Sequence, residues 1–172
     1  MTSASQPAEQ LQEAIPIDVV SDVVCPWCYI GKRRLEKAIA LVPDLPVEVR
    51  WHPFFLNPWI PRTGITRTEY LETKFGSVEQ YAPIAARVTA AASSEGLTYA
   101  AAKITRQPNT VDAHRLILWA NDGVGPAAMK QRLMDLYFAE GADLSDHEVL
   151  TKAAADCGLD ADVVRQKLAS EI

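Results

Sequence analysis

Ile17-Asp18-Val19-Val20-Ser21-Asp22-Val23-Val24-Cys25-Pro26-Trp27-Cys28 is the stretch that decides how this chain folds. Ile17–Val24 carries Val19, Val20, Val23 and Val24 in a largely continuous β-branched run, the pattern of a strand covered on both faces. The run leads straight into a C-x-x-C pair. Beyond it Leu35, Ala38, Ile39 and Val42 recur at helical spacing, while Lys32, Arg33, Arg34, Glu36 and Lys37 are expected to face outward. Pro43 and Pro46 bracket an exit turn, after which Val47, Val49 and Trp51 alternate with Glu48, Arg50 and His52 as a second strand. The unit is β-α-β, and its natural closure is a right-handed crossover between parallel strands.

A cysteine pair at a strand-to-helix junction is placed for redox chemistry. The thiolate is the nucleophile in disulfide exchange, so a redox cysteine needs a field that favours charged sulfur. Unpaired N–H groups and the positive end of the macrodipole supply that field at a helix N-terminus. Cys25, nearest that end, reads as the nucleophile, and Cys28, one turn inward, as the resolving thiol. Pro26 has no N–H to lose and its fixed φ suits a helix start. Trp27 offers apolar cover for the sulfur and a contact for substrate. Asp22, three residues before Cys25, admits two roles: opposing ionisation of Cys25, or accepting a proton from the resolving cysteine.

The remaining composition excludes more than it assigns. With 17 Lys+Arg against 22 Asp+Glu, a net charge of −5 and no basic cluster, nucleic acid and anionic membranes are not expected partners. Met1–Ala14 is polar and carries Glu9 and Glu13, unlike a secretory signal, so the reading is cytoplasmic. A structural disulfide is out of keeping with that setting. Zinc takes about four ligands, and only Cys157, His52, His114 and His147 are available beside the pair, none in a second paired spacing. A zinc site is not expected. Cys157, before Gly158, reads as a small buried residue.

After Pro53 the pattern turns helical. Thr66 with Glu69, Ser77 with Gln80 and Ser145 with Glu148 each fit a capping box, and Gly76, Gly96, Gly123, Gly141 and Gly158 lie where helices would end. Helices are predicted over 67–75, 78–94 (restarted or kinked near Pro83), 110–122, 126–140, 146–157 and 161–170, with 97–108 as the loose segment.

With these residues in place the chain resembles the DsbA family of thioredoxin-fold oxidoreductases, and within it the FrnE-like branch. The resemblance is carried by Asp22-Val23-Val24-Cys25-Pro26-Trp27-Cys28-Tyr29-Ile30-Gly31-Lys32, by Trp51-His52-Pro53-Phe54-Phe55-Leu56-Asn57-Pro58, and by Tyr70-Leu71 with Lys74-Phe75-Gly76. Pro108-Asn109-Thr110, Ala113-His114-Arg115-Leu116 and Trp119-Ala120 add to it. It implies an α/β thioredoxin-like fold interrupted by a helical domain, and disulfide exchange with a protein or small-thiol substrate such as glutathione, without a cofactor. The expected organisation is a leader over 1–15, a βαβ unit over 16–60 and a helical insertion over 61–172.

Such folds continue into a Gly-Val-Pro segment, an antiparallel hairpin and a last helix, which this sequence does not reach by Ile172. The expectation is therefore a chain lacking that half, with an open sheet edge and a tendency to pair with a second copy.

Other candidates are weaker. Phe54 and Leu56 follow the second strand, where α/β folds bind ligands, yet read first as core. Asn57 is a substrate contact or a turn residue. His114 is a packing histidine, or a proton shuttle or substrate contact, and His52 and His147 read as solvated. Two alternatives to the oxidoreductase stand. One is a glutathione-dependent isomerase or transferase, of the 2-hydroxychromene-2-carboxylate isomerase or kappa kind, whose members place serine where this chain has Cys25. The other is a non-catalytic fragment.

Overall fold

A computed structural model describes residues 13–170, so the leader expected over 1–15 lies almost wholly outside the described residues. β1 (Ile15–Ser21) and β2 (Val47–Pro53) flank α1 (Pro26–Ala40) and pair in parallel, Ile15 opposite Val47 through Ser21 opposite Pro53. The βαβ unit is as expected. β1 nevertheless stops three residues early. Val23 and Val24 leave the strand and bury themselves in the core beside the cysteine turn. The expectation that both faces of β1 are covered fails as well: Val20 is 62% exposed.

α1 is rotated from its expected setting. Lys32, predicted to face outward, is 4% exposed. Its Nζ bonds Glu36 and, at 2.9 Å, Gln131 Oε1, and lies 5.9 Å from the centroid of the Trp51 ring. The ring takes up the charge and the aliphatic stem at once. Leu35 and Ile39 are half-buried and Ala38 is exposed.

The helical part follows the predicted order closely. α2 (Arg67–Phe75) and α3 (Val78–Ser94) start at Thr66 and Ser77, whose hydroxyls accept from Glu69 N and Gln80 N. α3 runs through Pro83 without restarting. α4 (Val111–Trp119), α5 (Pro126–Asp135), α6 (His147–Asp156) and α7 (Ala161–Ala169) follow. One cap needs correcting: Asp146, not Ser145, caps α6, accepting from Glu148 N. Gly123 does end the α4 segment, closing the 3₁₀ turn Ala120–Asp122, with φ −134°. The loose segment also holds structure: a 3₁₀ turn at Ala101–Lys103 and β4 (Arg106–Gln107), which pairs antiparallel with β3 (Ile65–Thr66). Strands of two residues are too short to leave a periodicity.

The helix predicted to run to 140 changes pitch. Leu136–Glu140 winds as a π-helix closed by Gly141 at φ +75°, where a Cβ would stand 2.4 Å from Lys103 O. The wider turn directs two consecutive aromatic residues inward. Tyr137 bonds Gln107 Oε1 at 2.8 Å, and Phe138 stacks on Tyr29 at 5.0 Å. Tyr29, next to Cys28, also donates to Asp135 Oδ1 at 2.6 Å. The main core thus runs from the cysteine turn into the helices, which fixes the first turn of α1. Cys157 is buried, as expected.

Candidate active site

Cys25 is the N-cap of α1, with φ −90° and ψ 111°, and Pro26 opens the first turn. No side chain caps this helix, so the sulfur itself faces the open end. The Cys28 thiol, foremost, and then the N–H groups of Cys28 and Trp27 hydrogen-bond it, drawing its pKa from the usual thiol value down to about 6 against the opposing effect of burial. Asp22 nearby pushes the other way. Cys28 is the converse: its hydrogen bond to Cys25, burial and the Cys25 charge hold its proton well above the usual thiol range. The two thiols are both partly accessible and differ sharply in proton affinity. Such a pair has a nucleophile that is ionised at neutral pH and a partner that holds its proton in reserve.

Cys25, Pro26 and Trp27 open onto a cavity of about 230 Å³, whose far wall is aromatic: Tyr70, Phe75, Tyr81, Tyr99, Tyr137 and Phe138. Two cations belong to it. Arg67 bonds Gln107 and Tyr137, with its guanidinium over the Tyr70 and Tyr81 rings at 5.0 and 5.2 Å. Lys74 donates to Asn57 Oδ1 at 2.7 Å, and burial lowers the proton affinity of its ammonium.

Asp22 is wholly buried, behind the cysteines. Its Oδ2 accepts from Leu56 N at 2.8 Å and Thr110 Oγ1 at 3.2 Å, and its Oδ1 lies 3.2 Å from His114 Nε2. The other sequence candidates scatter. Phe54, first read as core, is 48% exposed and does not line the cavity. Leu56 does line it. Asn57 is buried, with Nδ2 unpartnered and its carbonyl taking Ile60 N in a turn. His114 is buried edge-on to Phe55, in a separate cleft with Trp51 and Lys130. His52 and His147 are exposed yet engaged, with Asp18 at 2.7 Å and Asp112 at 3.0 Å.

The residues that sequence reasoning missed are Arg67, Lys74 and Lys130. For Lys130 a signal existed: it stands beside Met129 and one turn before Leu133 and Met134, on the face of α5 that is buried. A lysine on that face is either paired or functional. Among the described residues no cluster of three or more His, Cys, Asp or Glu is placed to hold a metal ion, and no helix is long and apolar enough to cross a membrane.

The model of the DSBA-like thioredoxin domain matches residues 16–172. The chain belongs to this DsbA-like family. A probable DsbA oxidoreductase from Streptomyces coelicolor superposes with a TM-score of 0.82 at 34% identity, over 91% of this chain and 68% of that one. The uncharacterised protein YwbO of Bacillus subtilis is 28% identical over 146 residues, 85% of this chain and 68% of its own length. The cytosolic disulfide reductase DsbM of Pseudomonas aeruginosa, determined with GSH, shares the fold with a TM-score of 0.61 at 18% identity, over 91% of this chain and 73% of that one. The DsbA-like domain is the α/β, mostly helical arrangement described above.

Proposed function

We propose that the protein is a thiol–disulfide oxidoreductase in which Cys25 attacks and Cys28 resolves, acting in the cytoplasm on a small thiol or disulfide of the glutathione kind. The observation that carries the reading is the Cys25 sulfur at the open end of α1, held near pKa 6 by hydrogen bonds while Cys28 keeps its proton. The attacking thiolate bonds to one substrate sulfur as the other departs with the electron pair, and Cys28 then displaces the first from the mixed disulfide. The enclosed aromatic cavity with Arg67 and Lys74 favours a compact anionic substrate, and DsbM, a fold relative, was determined with GSH. In this reading Pro26 and Trp27 form the rim and Asn57 is a polar contact through Lys74, while Asp22 and His114 brace the cysteine turn from behind.

Equilibrating the reduced protein with glutathione buffers and alkylating the remaining thiols tests it. Cys25 and Cys28 are expected to vanish together in one two-electron transition, with Cys157 left reduced. In the fully reduced protein, thiolate governs the alkylation rate. With a pKa of about 6, Cys25 should react at a rate that levels off above that pH and falls about tenfold per unit below it. Lower basicity costs some nucleophilicity, so the advantage over an ordinary thiol is about tenfold near pH 6 rather than the full ratio of thiolate fractions. Equal reactivity of all three cysteines would overturn the assignment.

The outer edge of β1 supports a homodimer. Its backbone groups on that side have no strand partner among the described residues, and Val20 stands exposed beside them. Size-exclusion chromatography is expected to give a concentration-dependent dimer or larger species, shifted to monomer by Val20→Lys; a monomer at all concentrations refutes it.

A further inference from the structure

Lys130 reaches from α5 to the base of the cysteine turn and is 1% exposed. Among the described residues its Nζ has one hydrogen bond, a long one of 3.4 Å to Ser21 O, an acceptor already taken by Phe54 N. The Trp51 ring centroid lies 5.4 Å away. None of the ion pairs among the described residues includes Lys130, although a buried ammonium left so poorly bonded is costly. The charged groups that act on it come from every element around it. Cys28 and Lys32 come from α1, Cys25 from its N-cap and Asp22 from the turn after β1, while His52 of β2 and His114 of α4 line the same cleft. Burial, only partly offset by Cys28 and Asp22, brings its pKa down to about 8. Both protonation states are then within reach near neutrality.

Resting on the disulfide exchange read above, we propose that Lys130 is the proton partner of the Cys28 sulfur. When an incoming thiolate bonds to Cys25 Sγ, the Cys25–Cys28 bond breaks. The Cys28 sulfur leaves with the electron pair and takes a proton from the Lys130 ammonium. In the resolving direction the Lys130 amine removes that proton, Cys28 bonds to Cys25 Sγ, and the substrate sulfur departs as thiolate with its electron pair. The mixed disulfide is itself the oxidant, so no other reactant is required. Cys28 is the sulfur that needs such help, since its burial, which persists when Cys25 is bonded to substrate, disfavours the thiolate. Asp22 is less suited to this proton transfer, because both its oxygens are engaged by Leu56, Thr110 and His114.

The test mixes reduced protein with oxidised glutathione to load Cys25, then follows closure to the internal disulfide by acid quench and mass spectrometry from pH 6 to 9. Wild type should close faster as pH rises and level off near 8. Lys130→Met, nearly isosteric, should close at least ~10-fold more slowly without that plateau. Its melting temperature should be unchanged or higher, because it removes an unpaired buried charge. Lys130→Arg keeps the charge but cannot release a proton, and should be as slow as Lys130→Met. An arginine variant that closes at the wild-type rate overturns the proposal, since fixed charge then suffices. Should arginine not fold, a methionine variant with the wild-type rate and plateau overturns it alone. If wild type forms no mixed disulfide or never closes it, the oxidoreductase reading has failed instead, and the proposal with it.

Discussion

Cys25→Ser is expected to reduce disulfide reductase turnover by about 10³-fold or more, the largest catalytic loss of any single substitution in this protein. A serine hydroxyl at the same N-cap would cap the helix well, so the fold should survive while the nucleophile is lost. Cys28→Ser should behave differently. Cys25 keeps the N–H groups of Cys28 and Trp27 and still attacks, but the mixed disulfide has no internal thiol to resolve it and accumulates. Insulin-type reduction assays, with mass spectrometry of the trapped species, separate the two outcomes. Retained glutathione-dependent isomerase activity in Cys25→Ser, with no reductase signal in wild type, would favour the isomerase or transferase alternative, whose members place serine there. The lowered Cys25 pKa also has a direction of its own. It stabilises the reduced form, and so makes the disulfide a better oxidant than one between ordinary thiols.

Much of this architecture is written locally in the sequence. The β-α-β order, the cysteines at a helix start and the caps at Thr66 and Ser77 all follow from neighbours within a few residues, which is the range over which caps and periodicity act. Ser145 shows the limit of that range. Two adjacent residues each had a side-chain oxygen for the first turn of α6, and Asp146 took the position. What failed was burial. Lys32 and Lys130 both lie near Trp51, where an aromatic face accepts two cations from different helices; no pattern within α1 or α5 alone reports that meeting. Phe54 erred in the other direction, because a residue past the end of β2 is core only if something covers that end of the sheet. The cavity wall is likewise a tertiary product. Tyr70, Tyr81, Tyr99 and Tyr137 come from separate segments and converge only because α2, α3 and the π-turn pack together.

The largest loss of stability is expected from Asp22→Ala. The carboxylate gathers three groups from separate segments: Leu56 N beyond β2, Thr110 Oγ1 before α4, and His114 Nε2 within it. Removing it strands these partners in a buried region and takes away the carboxylate that favours the Lys130 charge. Loss of one member of a buried charged network costs about 3–5 kcal/mol, enough to take a large part of the stability of a small domain. Asp22→Asn keeps one acceptor oxygen and should cost less. Urea unfolding at pH 7 measures both, and a loss below about 1 kcal/mol for the alanine variant would mean that the network is not holding the turn. The same substitution should sharpen the nucleophile. The Asp22 charge raises the Cys25 pKa, so its removal should carry the alkylation midpoint below the wild-type value even as the fold weakens. A midpoint that rises would mean that the carboxylate stabilises the thiolate indirectly, through the helix start it braces, more than its charge opposes it.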